Sequence, residues 1–120
     1  MAKPGKSGLS RIINATGYSW QGLKAAWKYE AAFRQELVLA LIGVPLAFWL
    51  ADNKSELLWL ILPLFILVIA ELVNSAIEAV VDRISDEHHE LSGRAKDIGS
   101  AIVFVSIILL TVIWFVVLYY

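Results

Sequence analysis

Four polar side chains recur on one face of an otherwise apolar stretch. Glu71, Asn74, Glu78 and Asp82 stand at i, i+3, i+7 and i+11. On a helix turning about 100° per residue they fall within an arc of roughly 80°. Ser75 adjoins them, and the run Leu57–Ala70 before them is apolar throughout, with Pro63 inside it. A carboxylate in such a setting costs about 2.5 kcal/mol or more unless it faces protein or water. A lone Asn or Ser there reads as glue between helices. Several acids aligned on one stripe read instead as a functional site, because intramembrane acids usually mark one.

Two carboxylates and an amide suit two kinds of chemistry. As hard oxygen donors they fit Mg²⁺, which takes one or two carboxylates and fills its shell with substrate phosphates. As bases they can take the proton of a hydroxyl while it attacks. Glu30 and Glu36, at the start of an earlier apolar run, are placed to approach Glu78 from a neighbouring helix. Glu71 lies about 10 Å from Glu78 along the helix axis, near the depth of a lipid's glycerol. The stretch Asp82–Asp97 is dense in charge, with Asp86, Glu87, His88, His89, Glu90, Arg94 and Lys96. Composition alone makes it an ordinary solvated loop, although Arg94 and Lys96 stand where an anionic phosphate would arrive. The adjacent pair His88 and His89 lacks the spacing of a helical metal pair. Neither GxxxxGK[ST] nor GxGxxG occurs, so a nucleotide would be held without either common cradle.

The elements that carry these residues follow from the distribution of charge. Of 120 residues, 59% are hydrophobic and 18% charged, and mean hydropathy is +0.70. A soluble domain is typically about 45–50% apolar, and a chain this short cannot bury such an excess. A soluble enzyme, a nucleic-acid-binding domain and a disordered chain are all disfavoured, and a net charge of −1 offers no field for nucleic acid. With no cysteine there are no disulfides, thiolate metal sites or cysteine nucleophiles. The N-terminal residues lead into a mixed polar stretch, not the apolar core of a signal peptide.

Three continuous apolar runs, about 31–51, 57–81 and 98–120, are long enough to cross a bilayer as helices. Their continuity argues against a barrel. Residues 7–29 place Leu9, Ile12, Ile13, Thr16, Trp20, Leu23 and Trp27 on one helical face, opposite Arg11, Lys24 and Lys28. That pattern suits an amphipathic surface helix lying in the membrane interface, and Gly17 and Gly22 are points where it could break. The fold class expected is thus an all-α membrane protein in one domain: a surface helix, three spans and a polar loop over 82–97. Basic residues cluster before the first span (Lys3, Lys6, Arg11, Lys24, Lys28, Arg34) and between the second and third (Arg83, Arg94, Lys96), against Lys54 alone on the other side. The positive-inside rule puts the N-terminus and the 82–97 loop in the cytoplasm and the C-terminus outside.

The run Glu71-Leu72-Val73-Asn74-Ser75-Ala76-Ile77-Glu78-Ala79-Val80-Val81-Asp82-Arg83 resembles the signature of the bacterial integral-membrane diacylglycerol kinases. His89-Glu90-Leu91-Ser92-Gly93-Arg94-Ala95-Lys96-Asp97 resembles that family's second block. Gly17-Tyr18-Ser19-Trp20 and Glu30-Ala31-Ala32-Phe33-Arg34-Gln35-Glu36 resemble its N-terminal segments. The resemblance implies a homotrimer in the bacterial inner membrane that moves the γ-phosphate of ATP to diacylglycerol, making phosphatidic acid. It implies Glu71 as general base and Glu30 and Glu78 as Mg²⁺ ligands. It sets Arg11, Tyr18, Glu30, Asn74, Glu78, Glu87, His88, His89, Lys96 and Asp97 near the nucleotide. It sets Arg11, Ser19, Trp20, Ala32, Arg34, Gln35, Glu36, Glu71 and Ser100 near the lipid. A related branch phosphorylates undecaprenol, and the wording Glu90-Leu91-Ser92-Gly93-Arg94 favours diacylglycerol. A small multidrug-type transporter has similar length but expects four spans, with its acid in the first.

Overall fold

Long apolar runs in lipid must satisfy every backbone polar group internally, and helices do so. The computed structural model describes residues 7–84 and 86–120, so Lys3 and Lys6 of the basic count lie outside the described residues. Four helices follow one another: α1 (Gly8–Tyr29), α2 (Ala31–Leu50), α3 (Lys54–Ile84) and α4 (Glu90–Tyr119). The last three are each long and apolar enough to cross a membrane.

Local chemistry sets the turns. Asn53 Oδ1 accepts from the Glu56 N–H at 2.9 Å, while Glu56 Oε2 accepts from the Asp52 N–H at 2.8 Å. This reciprocal cap starts α3. At the start of α4, His89 Nδ1 accepts from the Leu91 N–H at 3.0 Å. Between α1 and α2 the chain turns on Glu30 alone, and Arg34 Nη1 donates back to the carbonyls of Trp27 at 2.6 Å and Lys28 at 3.2 Å. A guanidinium there meets the negative end of α1.

The segment 82–97, expected as a loop, is mostly helix. Asp82 and Arg83 close α3, and residues 90–97 open α4. An apolar run marks where lipid ends, not where hydrogen bonding ends; Arg83 in a last turn and Glu90 in a first turn both favour helix. Nor do Gly17 and Gly22 interrupt α1, which runs unbroken.

α3 is the central element, packed against α2 on one side and α4 on the other. Leu60, Pro63, Leu64 and Leu67 of α3 and Phe33 of α2 are the largest fully buried side chains among the described residues. Gly43 lets α2 approach closely, since a Cβ there would stand 2.8 Å from Leu64 Cδ1. Outward-facing Leu41, Ile42, Phe48, Leu58, Phe65, Phe104 and Phe115 stay exposed, as does the apolar face of α1 at Leu9, Ile12, Ile13 and Trp20.

Pro63 cannot supply an N–H to the Trp59 carbonyl one turn back. One residue on, the Leu60 carbonyl accepts the indole N–H of Trp114 at 3.0 Å, a bond from α4 to α3. Interhelical hydrogen bonds in lipid average about 0.6 kcal/mol and reach about 1.7. Trp114→Phe should therefore destabilise the chain by about 1 kcal/mol in mixed micelles, read from reversible unfolding. An unchanged midpoint would show that the indole contributes only its bulk.

Candidate active site

The polar stripe of α3 is graded by depth. Glu71 is 3% exposed and Asn74 9%, Glu78 is half-buried, and Asp82 lies open. Asn74 Nδ2 donates to Glu78 Oε1 at 3.4 Å. The Glu36 carboxyl, from α2, lies within hydrogen-bonding reach of Glu71. The sequence suggested Glu78 as its partner; it meets the deeper acid instead. Glu36 Oε2, Asn74 Oδ1 and Ser75 Oγ are buried without a hydrogen-bond partner among the described residues.

At the mouth of this cleft stands Glu30, in the turn between α1 and α2. Burial, and then the charges of Glu78, Glu71 and Asp82, push its carboxyl above the ordinary range. Like charges facing one another are what a bound cation would relieve. Among the described residues no three metal-ligating side chains converge. The set therefore suits a cation that takes two carboxylates and completes its shell from phosphates, as Mg²⁺ does.

A second polar feature lies at the α3–α4 turn. A cavity of about 280 Å³ is lined by Asp82, Asp86, Glu87, His88, His89, Ser92, Gly93 and Lys96. Lys96 Nζ pairs with Asp82 Oδ1 at 2.7 Å. Both side chains are open to solvent, so the pair adds little stability, but it holds the ammonium at the end of the acidic stripe. His89 spends Nδ1 on the α4 cap, which leaves Nε2 as the donor of its neutral form.

Between α1 and α3 opens a groove of about 630 Å³. Gly22, Ala25 and Ala26 face Ala76 and Ala79 across it, with Ser19, Ser75 and Glu30 among its walls. Small residues at helical spacing on both segments were the signal for this groove, and sequence reasoning passed over them. It also missed the Lys96–Asp82 pairing, for which opposite charges were the available clue.

The other anticipated residues do not gather at one point. Ser19 lines the groove, its hydroxyl donating to the Ala15 carbonyl at 2.9 Å. Arg34 is engaged at the end of α1. Arg11, Trp20, Ala32, Gln35, Asp97 and Ser100 lie exposed and Tyr18 half-buried; none of these lines the two cavities just described.

Three helices able to span a membrane, with a buried acid beneath a cluster of acids at one end, define a small membrane protein with an acidic site inside it. The model of the prokaryotic diacylglycerol kinases matches residues 17–118. A diacylglycerol kinase of Escherichia coli (strain K12) is 53% identical over 113 residues, covering 94% of this chain and 93% of that protein. One from Haemophilus influenzae is 49% identical, covering 95% and 97%, and one from Helicobacter pylori (strain 26695) is 45% identical, covering 92% and 87%. The chain belongs to the prokaryotic diacylglycerol kinase family.

The strained charge at Glu30 has a measurable consequence. A carboxyl raised in the folded state contributes stability that is intact below its unfolded pKa, near 4.5, and is lost as pH rises through its folded value. Tm should thus fall more steeply with rising pH above the ordinary Glu range in the native chain than in Glu30→Gln. Millimolar Mg²⁺ should recover part of the loss at neutral pH. Parallel Tm–pH curves for the two chains would contradict the assignment.

Proposed function

We propose that this protein is a lipid kinase of the cytoplasmic membrane, transferring the γ-phosphate of ATP to the free hydroxyl of diacylglycerol and releasing phosphatidic acid and ADP. The observation that carries this reading is Glu71, almost wholly buried on a helix long and apolar enough to span a membrane, with Glu78 two turns nearer the mouth and Glu30 beside it. Family membership supports the reaction class.

Phosphoryl transfer asks for positioning and charge more than covalent chemistry. Glu71 acts as general base: it takes the proton of the lipid hydroxyl as that oxygen bonds to the γ-phosphorus, and the bond to the bridging β–γ oxygen breaks. Its burial suits a hydroxyl that never leaves the bilayer. Glu36, against Glu71, orients the base and faces the lipid. Glu30 and Glu78 are the residues that would hold Mg²⁺, which would supply positive charge against the transferring group. Asn74 donates towards this cluster. Lys96 exchanges Asp82 for the phosphates, and Asp97, Glu87, His88 and His89 serve the nucleotide from the α3–α4 turn. Arg11 and Tyr18 reach the nucleotide from α1. Ser19, Trp20, Ala32, Arg34, Gln35 and Ser100 contribute to the lipid side.

On this reading α1 lies in the cytoplasmic interface with Trp20 and its neighbours in lipid. The N-terminus and the α3–α4 turn face the cytoplasm, and Tyr119 and Tyr120 lie at the outer interface. The exposed apolar faces of α2, α3 and α4 are divided between lipid and two further copies in a homotrimer.

The test is label transfer. Protein in lipid micelles with labelled ATP, Mg²⁺ and diacylglycerol should yield labelled phosphatidic acid, and undecaprenol in place of diacylglycerol should yield far less product. Glu71→Gln should lower kcat by about a hundredfold to ten-thousandfold, the range of a general base, with helix content and oligomer size preserved. Glu78→Gln should raise the Mg²⁺ needed for half-maximal rate by about tenfold or more. Wild-type protein that leaves both lipids unlabelled would remove the kinase reading; an active Glu71→Gln would remove the base.

A further inference from the structure

Gly99 sits on α4, buried against the polar stripe of α3. A Cβ at this position would fall directly on Asn74 Oδ1, and would stand 3.5 Å from Asn74 Cγ and 3.6 Å from Ile77 Cδ1. The carbonyl end of the Asn74 amide therefore occupies the notch that the missing side chain leaves. That oxygen is buried and has no hydrogen-bond partner among the described residues, an arrangement that normally costs stability. The other end of the same planar amide donates to Glu78 Oε1 at 3.4 Å. The two ends of an amide move together. With one end seated in the notch, the NH₂ is aimed at Glu78; with the notch filled, the side chain has to rotate and the donor leaves.

We infer that Gly99 is a positioning residue: its bare backbone seats the Asn74 amide so that its NH₂ holds the Glu78 carboxylate in place for the cation. The inference rests on the proposed role of Glu78 as a cation ligand. A glycine that only let two helices approach would act differently. Gly43 is such a case, since the three atoms nearest a Cβ there all belong to the apolar Leu64 side chain.

Gly43→Ala is therefore the control, a crowded methyl whose nearest neighbours are apolar. Both alanine variants should lower Tm. Only Gly99→Ala should lower kcat per folded protein, by about tenfold or more, the scale expected when a reacting group is misplaced. It should also raise the Mg²⁺ concentration for half-maximal rate and leave the KM for diacylglycerol within about twofold, because the lipid side is untouched. A second measurement needs no turnover. In an Asn74→Ala background the obstructing oxygen is gone, so Gly99→Ala should cost much less Tm than in the native chain, a coupling expected of groups in contact. Three results would overturn the inference: unchanged kcat and Mg²⁺ dependence in Gly99→Ala, an equal kcat loss in Gly43→Ala, or additive Tm losses at positions 74 and 99. A wild-type chain without kinase activity would count against the kinase reading alone, and the Tm coupling would still decide the positioning.

Discussion

An ionisable group held away from water dominates the energetics of this fold. Glu71 is 3% exposed on a helix whose preceding two turns and more are apolar. Lipid would not tolerate it, so protein has to surround it, and the helix that carries it has to be flanked on both sides. That requirement explains why α3 is the middle element and why its polar stripe points between α2 and α4. It also explains where the polar partners are. Glu36 comes from α2 and Gly99 from α4, and each approaches the stripe within a few residues of Glu71.

The packing that achieves this uses few polar contacts. α2 seats against α3 through the absence of a side chain at Gly43, over Leu64. α4 is tied to α3 by the Trp114 indole and the Leu60 carbonyl, just before Pro63. Between hydrocarbon-facing helices there is no hydrophobic gain from association, because lipid is as apolar as leucine; close approach and hydrogen bonds do the work instead. The broad exposed apolar faces of all three spans belong to the same physics. They need no cover from this chain, since their solvent is apolar.

Much of this was legible in the sequence because two periodicities are simple. Length of apolar run located the three spanning helices, and the 3.6-residue period put Glu71, Asn74, Glu78 and Asp82 on one face. The boundaries were less legible. Residues 82–97 read as loop because their charge ended the apolar signal, yet helices continue past the lipid wherever caps and end charges allow, as His89, Glu90 and Arg83 do. Pairing between helices was the least legible. Nothing in spacing along one helix says that Glu36 faces Glu71, that Lys96 pairs with Asp82, or that the methyl missing at Gly99 makes room for Asn74. Those are properties of how two helices are set against each other.

The register of α2 on α3 supplies what the sequence alone lacked. Gly43 meets Leu64, and Glu36 meets Glu71. Seven residues back along α2 correspond to seven residues forward along α3, as antiparallel helices with equal rise require. Six further residues back from Glu36 is Glu30, and seven forward from Glu71 is Glu78, whose charge helps to raise the Glu30 carboxyl. One antiparallel register thus accommodates both acidic pairs, at two depths about 10 Å apart. In the deeper pair Glu71 is almost wholly buried, which suits the handling of a proton; the shallower pair is open enough for a hydrated cation and its phosphates. In the proposed reaction these are the two ends of one transfer, the lipid hydroxyl below and the nucleotide above. The separation between them is the rise of about two turns of α3, matched by nearly the same rise on the α2 side that faces it.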